Sequence, residues 1–488
     1  MKVLFLNPPF LKKFSRPQRS PAVTKSGTLY FPMWLAYAAA VVMDKGFEID
    51  FIDAPADGIS QEDVEARVKS FNPALIVMDT STPSINNDVA IGGRLKDICP
   101  SAFIALVGTH VSALPEDVLK MDKRIGAVAR YEYDFTILDL AETISKNGGL
   151  KDVKGISYRD GGKIVHNERR PYIEDLDSIP FVSKVYKKFL KIENYFNPNA
   201  LFPMVTITSS RGCPFPCTFC VYPQTLMGRG FRLRTVENVV AEMEYIVKNF
   251  PEAKAIFFED DTMTVDKKRC KALSELIIKK GVRISWSANS RIGIDYDTMR
   301  AMREAGCRSL CVGFESGSQK ILDNMKKKTK LDEMKEFMRC AKKADIIIHG
   351  CFMAGLPGDT KETLKETLQL AKDLSPDTVQ FYPVMVYPGT EAYDWYSQRN
   401  LIRSSDFSKW ITPEGLHNTV IRTEDLSAED LVKFCDDARR EFYLRPRYIL
   451  YKLVQLITKP REIKRTVKAG RTFLKYLLKG TDVKKAAL

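Results

Sequence analysis

The sequence has no long hydrophobic run. Its longest, residues 31–43, has 13 residues, whereas a membrane-spanning helix needs about 20, so we interpret it as a buried helix. Pro8 and Pro9 follow Met1 too closely for the apolar core of a secretion signal, and we expect no signal peptide. The ten Cys form no dense, even framework, which is typical of a reducing compartment. These absences predict a cytoplasmic globular protein.

Acidic residues are scarce near the C-terminus. The formal net charge is +14, and residues 439–488 contain fifteen Lys and Arg but only three Asp and Glu, so twelve of those charges lie there. The rest of the chain is almost neutral. A basic segment of this kind is typical of contact with an anionic surface.

The Cys and His residues are too dispersed for most metal sites, with one exception. The four His stand singly, and outside the exception only Cys307 and Cys311 lie close together. The exception is a Gly/Pro-rich segment with the spacing Cys-x3-Cys-x2-Cys, formed by Cys213, Cys217 and Cys220. Three thiolates can bind three irons of a 4Fe–4S cluster, which leaves the fourth iron open to a small molecule. Structural zinc is the alternative, but it needs a fourth Cys or His nearby in the fold.

Residues 1–150 alternate short β runs with helical stretches. Each predicted strand ends in polar or turn residues, and the four strands are 2–7, 48–52, 75–79 and 103–108. This pattern predicts a doubly wound, Rossmann-like α/β domain whose ligand lies beyond the carboxyl ends of the strands. No Gly-x-Gly-x-x-Gly follows the first strand, so we do not expect a dinucleotide.

The remaining chain divides into three parts. Residues 151–200 are predicted to be a connector with a hairpin turning at Asp160 and Gly161. Residues 201–400 return to β/α alternation and predict a partial (β/α)6 barrel, while residues 401–488 are predicted to be a helical, basic C-terminal region. The six barrel strands are predicted at 205–209, 255–259, 283–290, 309–315, 346–355 and 378–386. The three-Cys loop follows the first of them, at the rim where barrel enzymes place their chemistry.

These residues resemble the radical S-adenosylmethionine (SAM) superfamily over residues 200–400. The Cys-x3-Cys-x2-Cys spacing is that superfamily's most specific signature, and the aromatic Phe219 before the last Cys also fits. The resemblance implies a 4Fe–4S cluster whose open iron binds SAM and whose electron cleaves it to a 5′-deoxyadenosyl radical. Further SAM contacts are implied at successive strand ends: Glu259, Asp260, Asp261, Ser287, Arg291, Glu315, Ser316, Met353 and Gly355.

The first domain resembles the cobalamin-binding domain that precedes the barrel in one radical SAM subclass. The string from Gly108 to Pro115 is close to the loop after the fourth strand there. The implied cobalamin contacts are Asn7, Pro8, Thr80, Ser81, Gly108, Thr109, His110 and Val111. The Asp-x-His-x-x-Gly string that supplies a cobalt ligand in other cobalamin domains is absent. We therefore expect His110 to pack or hydrogen-bond rather than bind cobalt.

Nearly the whole chain resembles the hopanoid-biosynthesis-associated members of this subclass, through residues 30–37 and 438–448. The resemblance implies a lipid-linked, hopanoid- or isoprenoid-derived substrate, modified by radical methylation or ring rearrangement. In residues 463–478 apolar side chains fall on one helical face and cations surround it, a pattern typical of a helix that binds a membrane surface. Docking on an acidic protein is the alternative for this helix.

Two other functions remain open from the sequence. An RNA-modifying radical SAM methylase or methylthiotransferase would use the basic tail, but methylthiotransferases of this class carry three further cluster Cys upstream, and only Cys99 precedes Cys213. A non-catalytic iron–sulfur or cobalamin carrier is the other alternative. We predict an enzyme that takes a lipid-linked substrate, an external one-electron reductant and a membrane surface as partners, and no nucleic acid. Its predicted location is cytoplasmic, peripheral to the inner face of the membrane.

Overall fold

The N-terminal part is a seven-stranded sheet with helices on both faces. The computed structural model describes residues 1–24 and 26–458. The first five strands are parallel and the last two antiparallel, in the order β2-β1-β3-β4-β5-β6-β7. They are β1 (Lys2–Asn7), β2 (Glu48–Asp53), β3 (Leu75–Asp79), β4 (Phe103–Val107), β5 (Ala127–Ala129), β6 (Ile156–Asp160) and β7 (Lys163–His166). The four predicted strands are confirmed. The predicted hairpin is β6 and β7, and it extends this sheet beyond residue 150.

The helices of this part connect its parallel strands. They are α1 (Met33–Asp44), α2 (Ala54–Asp57), α3 (Gln61–Phe71), α4 (Ile85–Ile98), α5 (Thr109–Ala113), α6 (Pro115–Met121) and α7 (Asp134–Ser145). Ten of the twelve residues of α1 are buried, so the longest apolar run is indeed a buried helix. Such a helix, apolar on all sides, packs in a core between layers.

The second part is a six-stranded parallel sheet, as predicted for a partial barrel. Its order is β15-β14-β13-β12-β11-β8, and a short β9–β10 ribbon stands beside it. The strands are β8 (Met204–Ile207), β9 (Ser210–Arg211), β10 (Arg232–Leu233), β11 (Ala255–Phe258), β12 (Ser285–Ser290), β13 (Cys307–Glu315), β14 (Ile347–Ala354) and β15 (Thr378–Pro383). The fold class expected from the sequence is confirmed.

Amphipathic helices alternate with these strands. They are α8 (Val182–Phe189), α9 (Val221–Thr225), α10 (Val236–Asn249), α11 (Lys267–Lys279), α12 (Tyr296–Glu304), α13 (Gln319–Asn324), α14 (Leu331–Lys343), α15 (Lys361–Leu374) and α16 (Glu391–Gln398). Several begin at a capping side chain; Asp266, for example, accepts from the backbone N–H of Arg269 at 3.1 Å at the start of α11. Such caps fix where each helix starts after its strand.

The C-terminal region returns to the barrel. Helix α17 (Ala428–Tyr443) corresponds to the predicted helical stretch and packs on β15, where the Tyr443 hydroxyl donates to the Val379 carbonyl at 2.8 Å. Helix α18 (Pro446–Thr458) follows it. The amphipathic helix predicted at residues 463–478 lies outside the described residues. Within the described part, none of the helices combines the length and apolar character that a membrane span requires.

Buried polar contacts join the two parts of the chain. The Arg211 guanidinium, just before the three-Cys loop, donates to Glu132 at 2.7 Å and to Asp134 at 2.8 Å in the first part. The Tyr37 hydroxyl of α1 lies 2.9 Å from the Thr208 hydroxyl. Helix α5 packs against α9, which begins directly after Cys220. The loop after β4 is thereby held beside the three-Cys loop.

Candidate active site at the barrel rim

The three-Cys loop leaves the first barrel strand through a turn that only Gly allows. Gly212 has φ of +81°, and a Cβ there would lie 2.1 Å from the Gly230 carbonyl oxygen. The β9–β10 ribbon closes the loop by pairing Arg211 with Arg232. The three Cys that follow are free thiols, so the donors expected for a cluster are all in place.

These thiols lie in a partly buried site beside the Asp261 carboxylate, with the cations of Arg19 and Arg291 also nearby. Burial raises the pKa of Cys213 to about 11, and the neighbouring Asp261 adds to this rise. Burial and Asp261 likewise raise the pKa of Cys220. Buried thiols beside a carboxylate hold their protons unless a cation replaces them. This donor set therefore fits an iron centre, whose positive charge would stabilise the thiolates.

Arg291 fastens the three-Cys loop to the opposite side of the rim. Its Nη1 lies 3.5 Å from Cys217 Sγ, and its guanidinium stacks on the Phe215 ring at 3.8 Å. Its Nη2 donates to the Lys327 carbonyl and, at 3.0 Å, to the Thr329 hydroxyl. The sequence predicted a SAM contact for Arg291, and in this structure its Nη1 and Nη2 contact protein groups. We assign it a positioning role for the loop.

The three acidic residues after β11, which are residues 259–261, have different partners. The Asp260 carboxylate accepts from the Ser209 N–H, the Ser209 hydroxyl and the Ser210 hydroxyl at 2.6–2.7 Å, so it holds the strand end and not a ligand. Arg19 donates to Glu259 at 2.5 Å and to Asp261 at 3.2 Å. Within the described residues, the second oxygen of Glu259 is buried and accepts no hydrogen bond, and burial raises the pKa of this carboxyl.

Glu315 stands at the end of β13 in a strained conformation. Its φ is +68°, and it accepts from Lys327 Nζ at 2.8 Å through one oxygen. Its other oxygen is buried and meets no hydrogen-bond donor in the part of the chain that the structure describes. Left-handed backbone at a non-Gly residue and an unsatisfied carboxylate oxygen both mark sites that bind a ligand. Glu259 and Glu315 thus offer two acceptors that hydroxyl or ammonium groups of SAM would satisfy.

The other residues predicted to bind SAM are engaged elsewhere. The Ser287 hydroxyl donates to the Asn199 carbonyl at 2.8 Å, and the Ser316 hydroxyl accepts from the Ser318 N–H at 3.2 Å. Gly355 has φ of +85°, and a Cβ there would meet Leu431 at 2.7 Å, so helix packing explains its lack of a side chain. Met353 is buried on β14, and Phe219 is half-buried against the core.

The residues predicted to bind cobalamin line the carboxyl ends of β1, β3 and β4. Asn7 donates to Asp53 at 2.8 Å and accepts from Arg16 at 2.9 Å; Arg16 also donates to the carbonyl of Pro8. The Thr80 hydroxyl donates to the Val107 carbonyl at 2.7 Å. Gly108 has φ of +125°, and a Cβ there would lie 2.6 Å from the Thr80 carbonyl oxygen. The structure brings these loops to one edge of the sheet.

The loop after β4 carries three of the remaining four contacts around the start of α5, and the fourth, Ser81, follows β3. His110 Nδ1 lies 3.2 Å from the Thr82 hydroxyl, and the ring meets Phe407 edge-on at 4.9 Å. Burial lowers the pKa of His110 to about 4, so the imidazole is neutral at physiological pH. Thr109 and the buried Val111 are the neighbours of His110 on α5. The Ser81 and Ser84 hydroxyls form a hydrogen bond of 2.7 Å. His110 therefore packs and hydrogen-bonds, in line with the sequence expectation.

Sequence reasoning missed several residues that complete the rim. Arg19 comes from the segment between β1 and α1, and Lys327 from the turn after α13. Tyr30 and Tyr382 are half-buried phenols beside the rim; burial raises the pKa of each, with Glu259 adding to the rise for Tyr30 and Glu315 for Tyr382. Tyr30 belongs to residues 30–37, which indicated only the resemblance, and the other three fall in no recognisable motif. Only the fold brings the four to the site.

Comparisons with known proteins agree with this architecture. A family model described as the Radical SAM superfamily matches residues 207–371, and one described as the B12 binding domain matches residues 19–136. An uncharacterized methyltransferase of Pyrococcus horikoshii is 30% identical over 92% of this chain and 94% of that protein. The anaerobic magnesium-protoporphyrin IX monomethyl ester cyclase of Cereibacter sphaeroides is 27% identical over 86% and 68%.

More distant matches extend the same picture. The hopanoid C-3 methylase of Methylococcus capsulatus is 21% identical over 77% of this chain and 70% of that protein. Among solved structures, the cobalamin-dependent SAM radical enzyme OxsB, with aqua-cobalamin and SAM bound, superposes with a TM-score of 0.70 at 16% identity. That match covers 99% of this chain and 73% of OxsB, and it supports the fold.

Proposed function

This chain belongs to the radical SAM superfamily, in the group that carries a B12-binding domain, and we propose that it methylates or rearranges an unactivated carbon of a lipid- or isoprenoid-derived substrate. It is an enzyme whose cofactors are a 4Fe–4S cluster, SAM and cobalamin. The observation that carries the reaction is the rim itself, where three free thiols lie beside Asp261 and α5 packs on α9. Radical formation from SAM and methyl transfer by cobalamin would then take place at one site.

In this proposal the chain's own residues position and shield the cofactors. Cys213, Cys217 and Cys220 hold the cluster, and Arg291 fixes their loop. Glu259 and Glu315 accept hydrogen bonds from SAM through the oxygens that no donor among the described residues satisfies. When bound, the cluster and SAM supply a 5′-deoxyadenosyl radical and cobalamin supplies methyl-transfer chemistry. The buried walls exclude water that would quench a radical.

The reaction is testable by anaerobic reconstitution with cobalamin, a one-electron reductant and SAM carrying a ¹³C-labelled methyl group. We expect 5′-deoxyadenosine to form and a lipid extract to be modified. Methylation would transfer the label into lipid, and rearrangement would give an unlabelled isomer, so mass spectrometry separates the two. Uncleaved SAM despite an intact cluster would favour a carrier, and label in RNA would favour the RNA-modifying class.

The proposed lipid substrate is supported by the surface of α18. Leu450 is 64% exposed, Leu453 53% and Ile457 80%, and the helix leads into residues 459–488, which are rich in Lys and Arg. Exposed apolar side chains next to dense positive charge suit an anionic membrane surface, where each cation contributes about 1 kcal/mol. The enzyme would then work where its substrate is dissolved.

Replacing Leu450 and Ile457 together by Ser should weaken binding to anionic lipid vesicles by about tenfold or more, since burying each side chain is worth about 1.5–3 kcal/mol. Co-sedimentation with vesicles measures this. The control is Ile278→Ser, because Ile278 is an exposed apolar residue (51%) on α11. Equal sedimentation of both variants would refute the membrane assignment. It would also be refuted if the wild type and the control were dimers and only the α18 variant were a monomer, because α18 would then be a dimer contact.

A further inference from the structure

Three potential metal ligands lie together on two neighbouring barrel strands, apart from the three-Cys loop. Cys311 of β13 pairs directly with His349 of β14, and Cys351 pairs with Gly313 two positions further along. Alternate residues of a strand point to the same face of its sheet. The spacing thus places His349 and Cys351 on one face of β14, with Cys311 beside them on β13.

That face is the inner wall of the barrel. On β13, Phe314 meets Phe337 of the outer helix α14, with ring centroids 6.4 Å apart, and Phe352 of β14 stacks on Phe314. These aromatic residues therefore point outward to the helical layer. Cys351, which directly precedes Phe352, points the opposite way.

The distances suit a single ion. The ligand atoms of the three residues all lie within 4.8 Å of one another, and the two sulfurs are 3.8 Å apart. In tetrahedral zinc coordination with Zn–S bonds of about 2.3 Å, two sulfurs lie about 3.8 Å apart. A disulfide would hold them about 2.05 Å apart. The separation is that of a hydrogen bond between two thiols, and it is also the separation that two sulfur ligands of one zinc ion need.

A hydrogen bond orients the imidazole. His349 Nδ1 lies 2.8 Å from the Thr378 hydroxyl of β15. Metal-binding His residues commonly use one ring nitrogen for such a contact and the other for the metal. The Thr378 hydroxyl thereby restrains the orientation of the ring.

The two thiols lie near residues of the rim. Burial raises the pKa of Tyr382, and Glu315 and Cys351 add to the rise. Burial also raises the pKa of Tyr30, and Glu259 and Cys311 add to that rise. Cys311 and Cys351 are therefore close to residues proposed to contact SAM.

We propose that Cys311, His349 and Cys351 bind a zinc ion on the inner wall of the barrel and leave its fourth position open to an exogenous donor. Two thiolates and an imidazole select zinc over hard cations such as Mg²⁺ or Ca²⁺. Three protein ligands with one open position are the pattern of catalytic zinc sites. The metal site stands independently of the proposed function; only its occupant, an oxygen, nitrogen or thiolate of the substrate, rests on that proposal.

Metal analysis of the full-length protein tests the site. The protein is reconstituted with its cluster, incubated anaerobically with Zn²⁺ and desalted before zinc and iron are measured. We expect about one tightly held zinc per chain, and at least a tenfold loss of zinc affinity in Cys311→Ser and His349→Ala. Iron content should stay unchanged in both variants. X-ray absorption at the zinc edge should detect two sulfur ligands and one nitrogen ligand.

Matched variants separate this site from the cluster. Cys99→Ser should keep its zinc, because Cys99 lies in the first part of the chain and its thiol donates to Asn72 at 3.2 Å, a contact that a hydroxyl can replace. Cys217→Ala should lose iron and keep zinc. Zinc that is absent from the wild type, that persists in Cys311→Ser and His349→Ala, or that disappears with Cys217→Ala would overturn the proposal. Circular dichroism verifies that each variant is folded, and retained iron is a second check for every variant except Cys217→Ala.

Discussion

Replacing Cys217 by Ala is expected to abolish reductive cleavage of SAM. Each of the three thiols supplies one iron ligand, and a cluster held by two thiolates would be lost or displaced from the rim. Even partners outside a metal's ligand set change affinity or activity by about 10- to 100-fold, so loss of a ligand should lower 5′-deoxyadenosine formation more than 100-fold. Cys213→Ala and Cys220→Ala should behave alike.

The readouts are iron content, the electron paramagnetic resonance signal of the reduced cluster and 5′-deoxyadenosine measured by mass spectrometry. Cys99→Ala is the control, since this buried thiol lies in the first part of the chain. It should keep both iron and activity. Retained SAM cleavage in any one of the three ligand variants would exclude the cluster assignment.

Replacing Arg211 by Met is expected to destabilise the protein by about 3–5 kcal/mol. The Arg211 side chain is 1% exposed and pairs with Glu132 and Asp134, which are 1% and 4% exposed. Burial lowers the pKa of Arg211, but Asp134 and Glu132 outweigh it and keep the guanidinium charged. Met fills the volume but removes the guanidinium that pairs with Asp134, while Glu132 keeps Arg232 at 2.7 Å. A buried carboxylate that loses its cation costs several kcal/mol.

The urea concentration at which half of the protein unfolds measures this effect, and it should fall markedly for Arg211→Met. Iron content should fall too, because Arg211 directly precedes Gly212 and Cys213. Arg339→Met is the control: Arg339 pairs with Glu336 at 2.6 Å, but both side chains are more than half exposed, and such pairs contribute about 0–1 kcal/mol. Equal urea midpoints for the two variants would contradict the interpretation that Arg211 stabilises the contact between the two parts of the chain.

Local patterns were sufficient to predict the strands and the cluster loop. Buried parallel strands form continuous apolar runs, such as Leu75–Asp79 and Ala255–Phe258, and those runs stand where they were expected. The cluster signature is equally local, because three ligands within eight residues need no tertiary information. The resemblance of the chain to cobalamin-binding radical SAM proteins is confirmed for the same reason.

Contacts between distant segments could not be predicted in this way. Arg19 meets Glu259 across 240 residues, and Cys311 meets Cys351 across 40, so neither pair leaves a spacing signal. The position of a residue in a motif also does not show which partner its side chain has. Asp260 stands in the same acidic string as Glu259, yet three donors from Ser209 and Ser210 saturate its carboxylate. Only the fold decides which member of such a string faces the cavity.

The most direct measurement is of 5′-deoxyadenosine formed by the wild-type protein under anaerobic conditions, with cluster, cobalamin, SAM and a one-electron reductant present. The account predicts that 5′-deoxyadenosine accumulates with time and depends on the reductant. Formation no faster than in the protein-free blank, with the cluster shown to be intact by its spectrum, would contradict the central claim that this rim is a radical SAM active site.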